Sequence, residues 1–168
     1  MEDPQTHEPL LVTPRELFLA IRYSDVEKVR TLLDNGADAN WRNRRGDESA
    51  LEYAALMGNE DVFHLLFLHG ACDTGDYLLV EAINGGNLEI VEFLLRRRTV
   101  TQEMLDSLLQ EAAHDGYSEV ITFLLGQGAD PNVAAGTKSN PEALARQHGH
   151  EEAADMLRTA SQSRRELS

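Results

Sequence analysis

The stretch "LLDNGADAN" (Leu32–Asn40) returns 92 residues later, little changed, as "LLGQGADPN" (Leu124–Asn132). Such an echo reads as a repeat whose middle copies have drifted, the interval being about three periods of roughly 31 residues. The fold therefore turns on whether intermediate copies exist.

Four glycines, each followed by a short helix-like phrase, supply them. They are Gly58 in "GNEDVFHLLFLHGA", Gly86 in "GNLEIVEFLLRRR", Gly116 in "GYSEVITFLLGQGAD" and Gly149 in "GHEEAADMLRTA". Ser24, in "SDVEKVRTLLDNGAD", fills the same slot, and the spacings from it run 34, 28, 30 and 33 residues. Small or apolar pairs precede most anchors: Ala54-Ala55, Ala82-Ile83, Ala112-Ala113 and Ala145-Arg146. A glycine between two helical phrases permits the positive φ that ends one helix and turns the chain. Asn59, Asn87 and Ser118 follow and are read as caps for the second helix, whose first amides need an acceptor. In that helix Val120, Ile121, Phe123, Leu124 and Leu125 form a broad apolar face. A pair of about 20 residues cannot bury such a face alone, so neighbouring pairs must stack.

These units resemble ankyrin repeats. The run "GDESALEYAALMGNEDVFHLLFLHGA" from Gly46 is close to the family's small-Leu-x-x-Ala-Ala-x-x-Gly phrase and the Leu-rich helix after it. The two "GAD-x-N" phrases match the turn from the second helix into the β-hairpin, and "NPEALARQHGHEEAADML" resembles a terminal capping repeat, with Asn140 as cap and Pro141 at the first helical position. The resemblance implies an all-α solenoid of helix–turn–helix units with short β-hairpin loops. One array over residues 13–160 is expected, in units 13–41, 42–74, 75–100, 101–133 and 134–160, with disordered tails at 1–12 and 161–168. The family's Thr-Pro-Leu-His phrase is poorly kept, its slots reading "SALE" at Ser49, "YLLV" at Tyr77 and "SLLQ" at Ser107. Full hairpins are expected after Gly36 and Gly128, and short loops around 71–76 and 98–103. Thr13-Pro14-Arg15-Glu16 reads as a capping box opening the first helix.

What the resemblance implies about function is a partner protein lying along the hairpin tips and the concave inner-helix face. In the family register the groove-facing positions are Tyr23, then Tyr53, Leu56 and Met57, then Glu81 and Asn84, then Glu111, His114 and Asp115, then Gln147 and His148. The stripe runs from aromatic and apolar to acidic and polar. Tyrosine and methionine suit interfaces, although Leu56 and Met57 could equally help pack the next repeat. The first hairpin carries "NWRNRRG", placing Trp41, the sole tryptophan, among Arg42, Arg44 and Arg45. Tryptophan and arginine are common hot-spot residues; the alternative is that Trp41 packs sideways while the arginines balance local acid. An exposed indole at a projecting tip is the expectation.

The formal charge of −14 argues against nucleic acid or an acidic membrane surface as partner. Between Gly46 and Leu95 stand ten Asp or Glu and no Lys or Arg, either a solvated face or a field that steers a basic partner. Arg96, Arg97 and Arg98 close that block, where cations favour a helix C-terminus. One cysteine, Cys72, leaves no internal disulfide and no cysteine-built zinc site. The opening "MEDPQTHEPLLVTP" lacks the features of a secretory signal, and no run reaches membrane-spanning length. A cytoplasmic monomer is expected.

No catalytic residue, cofactor or metal site is expected. The six histidines form no paired helical ligand set, and "HGHEE" (His148–Glu152) coincides with the family's Gly-His turn, where histidine is structural. No phosphate-cradling loop or nucleophile elbow is visible. The sequence thus points to a non-catalytic binding module, an adaptor or an inhibitor. Its rivals are an immunity-type inhibitor of a basic toxin or nuclease, an enzyme built from Glu111, His114 and Asp115, and a structural spacer.

Overall fold

A computed structural model of the chain describes residues 13–42, 48–72, 75–133 and 140–166. Ten helices are present among them: α1 (Pro14–Arg22), α2 (Val26–Asp34), α3 (Ala50–Leu56), α4 (Glu60–Leu68), α5 (Asp76–Asn84), α6 (Leu88–Leu95), α7 (Gln102–Asp115), α8 (Ser118–Gly126), α9 (Pro141–Gln147) and α10 (Glu151–Glu166). They fall into two compact units divided between residues 74 and 75. In the first unit α1 pairs with α2 and α3 with α4, while α1 packs on α3 and α2 on α4. In the second, α5, α7 and α9 stack as an inner layer and α6, α8 and α10 as an outer one.

The repeat register explains why each helix buries the face it does. Four, five and eight residues after the glycine anchors lie Val62, Phe63 and Leu66, then Ile90, Val91 and Leu94, then Val120, Ile121 and Leu124, then Ala153, Ala154 and Leu157, all buried. Each large apolar side chain so removed from water contributes about 1.5–3 kcal/mol before entropy is counted. The small pairs before the anchors (Ala54-Ala55, Ala82-Ile83 and Ala112-Ala113) are fully buried, which lets the inner helices approach closely. In the last unit the second member is the exposed Arg146, paired with Glu142 at 3.2 Å, Glu151 at 2.8 Å and Asp155 at 3.4 Å. An apolar residue there would face water, and the charge network keeps that surface soluble.

The anchors take the backbone their sequence slot demands. Gly58, Gly86, Gly116 and Gly149 have φ of 62°, 65°, 78° and 83°, and Ser24 follows them at 55°, the one non-glycine with positive φ among the described residues. Two of them also permit close approach. A Cβ on Gly86 would lie 2.4 Å from the Tyr117 ring, and one on Gly116 would lie 2.3 Å from the His150 ring. In the second unit, then, the residue after one anchor roofs the anchor before it. Histidine at the Gly-His turn is packing material here, as the resemblance implies.

Capping follows the sequence in most places. The Thr13–Glu16 box is complete, and Asn59, Asn87 and Asn140 accept from Val62, Ile90 and Ala143 amides. Ser118 does not cap. The cap position is Tyr117, which lends no side-chain acceptor, and Ser118 is the first helical residue. The hydroxyl of Tyr117 donates instead to the Asn84 carbonyl at 2.8 Å, an inter-repeat bond in place of a cap.

Two further expectations are corrected. The cap slot placed at Ser107 lies inside α7, which starts at Gln102 under a Thr101 cap that accepts from the Met104 amide. The additional turn is held by long-range bonds. The Gln102 amide donates to the Gly128 carbonyl at 3.0 Å, and the Asp106 carboxylate accepts from the Asp130 amide at 2.7 Å. The chain after residue 160 is not a disordered tail as far as Glu166, because α10 continues with Ser161 buried. Arg164 donates to the Ala129 carbonyl at 2.9 Å and Arg165 to Asn132 Oδ1 at 3.3 Å, which ties this end to the second "GADPN" turn. The tail expected at 1–12 and the tip of the hairpin expected after Gly128 lie outside the described residues.

Candidate functional site

In the first unit the finger after Gly36 is closed by an antiparallel bridge between Arg42 and Ser49. Its base is fastened by the "GADAN" phrase itself. The Asp38 carboxylate accepts from the Asn40 amide at 2.9 Å, and Asn40 holds the next loop through the Gly70 carbonyl at 3.0 Å and the Cys72 amide at 2.8 Å.

That geometry moves Trp41 from the tip to the base. Its carbonyl accepts from the Ala50 amide at 2.8 Å, at the start of α3. The indole is half-buried and lies 5.6 Å, centroid to centroid, from the Phe18 ring of α1. Phe18 in turn lies 4.9 Å from Tyr53 of α3, so three rings form one tilted stack. The expectation of an exposed indole is thereby corrected, because an aromatic ring that can stack against others withdraws from water. Sequence reading missed Phe18, which stands one position off the predicted stripe; an aromatic five residues before Tyr23 was the available signal.

Around this stack the inner face is open to solvent. Tyr23 is 73% exposed and Met57 44%, whereas Leu56 is half-buried. An open depression of about 240 Å³ adjoins Tyr23, lined by Glu16, Leu19, Ala20, Asp25 and Lys28. Arg42 reaches Glu52 at 3.4 Å, and that buried carboxylate also accepts from the Ser49 amide at 2.6 Å. Arg42 thus has a structural employment, although its side chain remains partly exposed. Arg44 and Arg45 lie outside the described residues.

In the second unit the predicted polar positions form two groups. Asn84 donates to Glu81 at 3.5 Å on α5. His114 Nδ1 lies 2.6 Å from the Asp115 carboxylate, and its ring lies 3.9 Å from that of His148, at the ends of α7 and α9. Glu111 is half-buried one turn earlier on α7. Among the described residues no three His, Cys, Asp or Glu are placed to hold a metal ion. Burial, with the nearby Asp115 charge adding to it, raises the pKa of the Tyr117 phenol above the usual 10.0. Both effects disfavour the phenolate, so the group that bonds Asn84 stays a donor through neutral pH. No helix among the described residues is long and apolar enough to cross a membrane.

Comparison with known proteins agrees with this geometry. Residues 51–135 match a family model described as ankyrin repeats in three copies, and residues 17–67 match one described as ankyrin repeats in many copies. Human cyclin-dependent kinase 4 inhibitor B is 30% identical over 136 residues, covering 81% of this chain and 80% of the relative. The mouse protein of that name is 28% identical over 145 residues, 86% of this chain and 92% of the relative. An ankyrin repeat and KH domain-containing protein of Caenorhabditis briggsae is 36% identical over 110 residues, 64% of this chain but 4% of that much longer protein.

Proposed function

Since the chain belongs to the ankyrin-repeat family, we propose that it is a non-catalytic binder of one partner protein, acting as an inhibitor or adaptor by occupying it. The observation that carries this reading is the inner face of the first unit. Tyr23 and Met57 stand open to solvent on the same face as the tilted Trp41–Phe18–Tyr53 ring stack. Large apolar and aromatic side chains left exposed on a fixed frame are what interface hot spots are made of. The polar groups of the second unit, Glu81, Asn84, Glu111, His114 and Asp115, would add orientation more than affinity. Support for an inhibitor comes from the two relatives matched over most of their own length, whose names are those of kinase inhibitors.

Affinity capture from the native lysate, with a Tyr23→Ala/Met57→Ala double variant as control, tests the face. A partner held by the parent and lost by the variant supports it, and a partner retained equally by both overturns it. A cyclin-dependent kinase is the first purified candidate to titrate. The second reading, an acidic inhibitor of a basic toxin or nuclease, is favoured by the net charge of −14. It requires an association rate that falls steeply between low and physiological salt while dissociation changes less.

A further inference from the structure

The only run of three basic residues among the described ones is Arg96-Arg97-Arg98, and Thr99-Val100 follows it directly. We propose that Thr99 is a phosphorylation site for an arginine-directed Ser/Thr protein kinase. Such a kinase must lay its substrate extended across an acidic cleft and bring a free hydroxyl in line with the γ-phosphate of ATP. It selects substrates partly by the charges around the acceptor, and guanidinium groups bond carboxylates with two parallel N–H donors.

The loop between α6 and α7 offers the free hydroxyl and the flanking charges, and to lie extended it must open the turn in which the Arg96, Arg97 and Arg98 amides donate to the Glu92, Leu94 and Leu95 carbonyls. Thr99 is exposed, and among the described residues neither Thr99 nor Val100 makes a hydrogen bond that would have to break. The guanidinium groups two and three residues before it belong to Arg97 and Arg96, both exposed. Arg96 pairs with Glu92 across the α6 surface, and Arg97 lies 5.1 Å over the Phe93 ring. Solvent-exposed contacts of that kind are readily exchanged for the carboxylates of a kinase. Arg98 instead donates to the Gly75 carbonyl at 2.8 Å, pinning the loop's base while its crest stays open.

Of the competing hydroxyls, the exposed Ser24 has a single guanidinium before it, that of Arg22, and the others are less available. Thr101, three residues after Arg98, uses its oxygen to accept from the Met104 amide at 3.2 Å. Ser161, three after Arg158, is buried in α10. Thr31 and Thr159 lie in helices and donate to the Glu27 and Asp155 carbonyls. On a chain of net charge −14 the tract is a local basic target for an acidic cleft.

In the step itself Thr99 Oγ1 attacks the γ-phosphorus of ATP. A P–O ester bond forms as the bond to the β–γ bridging oxygen breaks, the hydroxyl proton passes to a kinase carboxylate, and ADP leaves. The product places about two negative charges beside three arginines and just before the Thr101 cap, at the positive end of α7. The modified loop would cease to be a basic contact for any acidic partner.

The test incubates the full chain with Mg-ATP and the catalytic subunit of a cyclic-AMP-dependent protein kinase, and locates phosphate by peptide mass spectrometry. One phosphoryl group on Thr99 is expected, absent from a Thr99→Ala variant whose circular dichroism matches the parent. Arg96→Gln/Arg97→Gln should lower kcat/KM at least about tenfold, while Thr101→Asn, which keeps a capping side chain, should leave it unchanged. Phosphate on Thr101 or elsewhere, or none on the folded chain when the isolated peptide 93–103 is modified, would overturn the assignment.

Discussion

Ser24 offers a direct test of the repeat register, because it is the one serine in a slot that glycine fills four more times. Its φ of 55° is within a few tens of degrees of the 62–83° of the glycines. For an L-residue the left-handed region costs about 1–2 kcal/mol. Replacing serine by glycine removes that strain but loosens the unfolded chain, at a cost of about 0.4–1 kcal/mol. Nothing else is surrendered: Ser24 is exposed, and its bonds are backbone ones, donating to Ile21 and accepting from Val26. Ser24→Gly should therefore stabilise the first unit by about 0.5–1 kcal/mol. The assay is urea unfolding followed by Trp41 fluorescence, which reports on the unit that contains Ser24 because the indole stacks on Phe18 of α1. The converse control is Gly149→Ala, where φ is 83° and an added Cβ meets nothing within 4 Å, so any loss is backbone strain alone. Should Ser24→Gly lower stability by the entropic amount alone, the slot is unstrained and the equivalence of the five anchors fails.

Three other perturbations follow from the same contacts. Thr13→Ala, which removes the side chain of a complete capping box, should cost about 1 kcal/mol of unfolding free energy; an unchanged urea midpoint would refute it. Tyr117→Phe forfeits the bond to the Asn84 carbonyl and should cost about 1 kcal/mol. Because the folded phenol's pKa is raised above 10.0, its contribution is complete below that pH and is lost as pH climbs through the folded value, so the parent's stability should fall on the alkaline side more than that of Tyr117→Phe. Trp41→Ala should lose about 1–2 kcal/mol of stability, since the indole contributes a ring contact and buried area. The same change should also weaken partner binding by about 2 kcal/mol or more, and binding that is unaffected would leave Trp41 a packing residue only.

The helices were legible because two local signals coincide in every copy. A glycine or its stand-in sets the turn, and the apolar positions at fixed offsets after it set the buried face. What was not legible depends on bonds between distant residues. Thr101 was a local signal for the start of α7 at Gln102, but the bonds that hold this extra turn, from Gln102 and Asp106 to residues 128 and 130, have no local signal. The tail beyond residue 160 reads as polar and dispensable until Arg164 and Arg165 are seen bonding to residues 129 and 132. Tyr117 shows the same thing in reverse, giving up a cap for a bond to the preceding repeat. Sequence periodicity encodes which face is buried, whereas the polar stitching between repeats uses single side chains that no period announces.

The candidate site was read less well, and the reason lies in Trp41. Composition alone suggests an arginine-flanked tryptophan displayed on a finger, yet the bridge between Arg42 and Ser49 puts the indole at the finger's base. Phe18 and Tyr53 then become part of the same object, and Tyr53 is the predicted groove residue closest to it. A stack of three rings loses little side-chain entropy when a partner arrives, because its rotamers are already fixed by one another. Tyr23 and Met57, exposed and unstacked, must be ordered on binding and carry that cost. The proposed binding face would therefore combine a preorganised anchor with adaptable flanks. Such a division favours a partner that presents a fixed apolar feature to the stack and tolerates variation around it. On the proposed face the rings of Trp41, Phe18 and Tyr53 should add a share of the binding energy with little entropy cost to the share carried by Tyr23 and Met57.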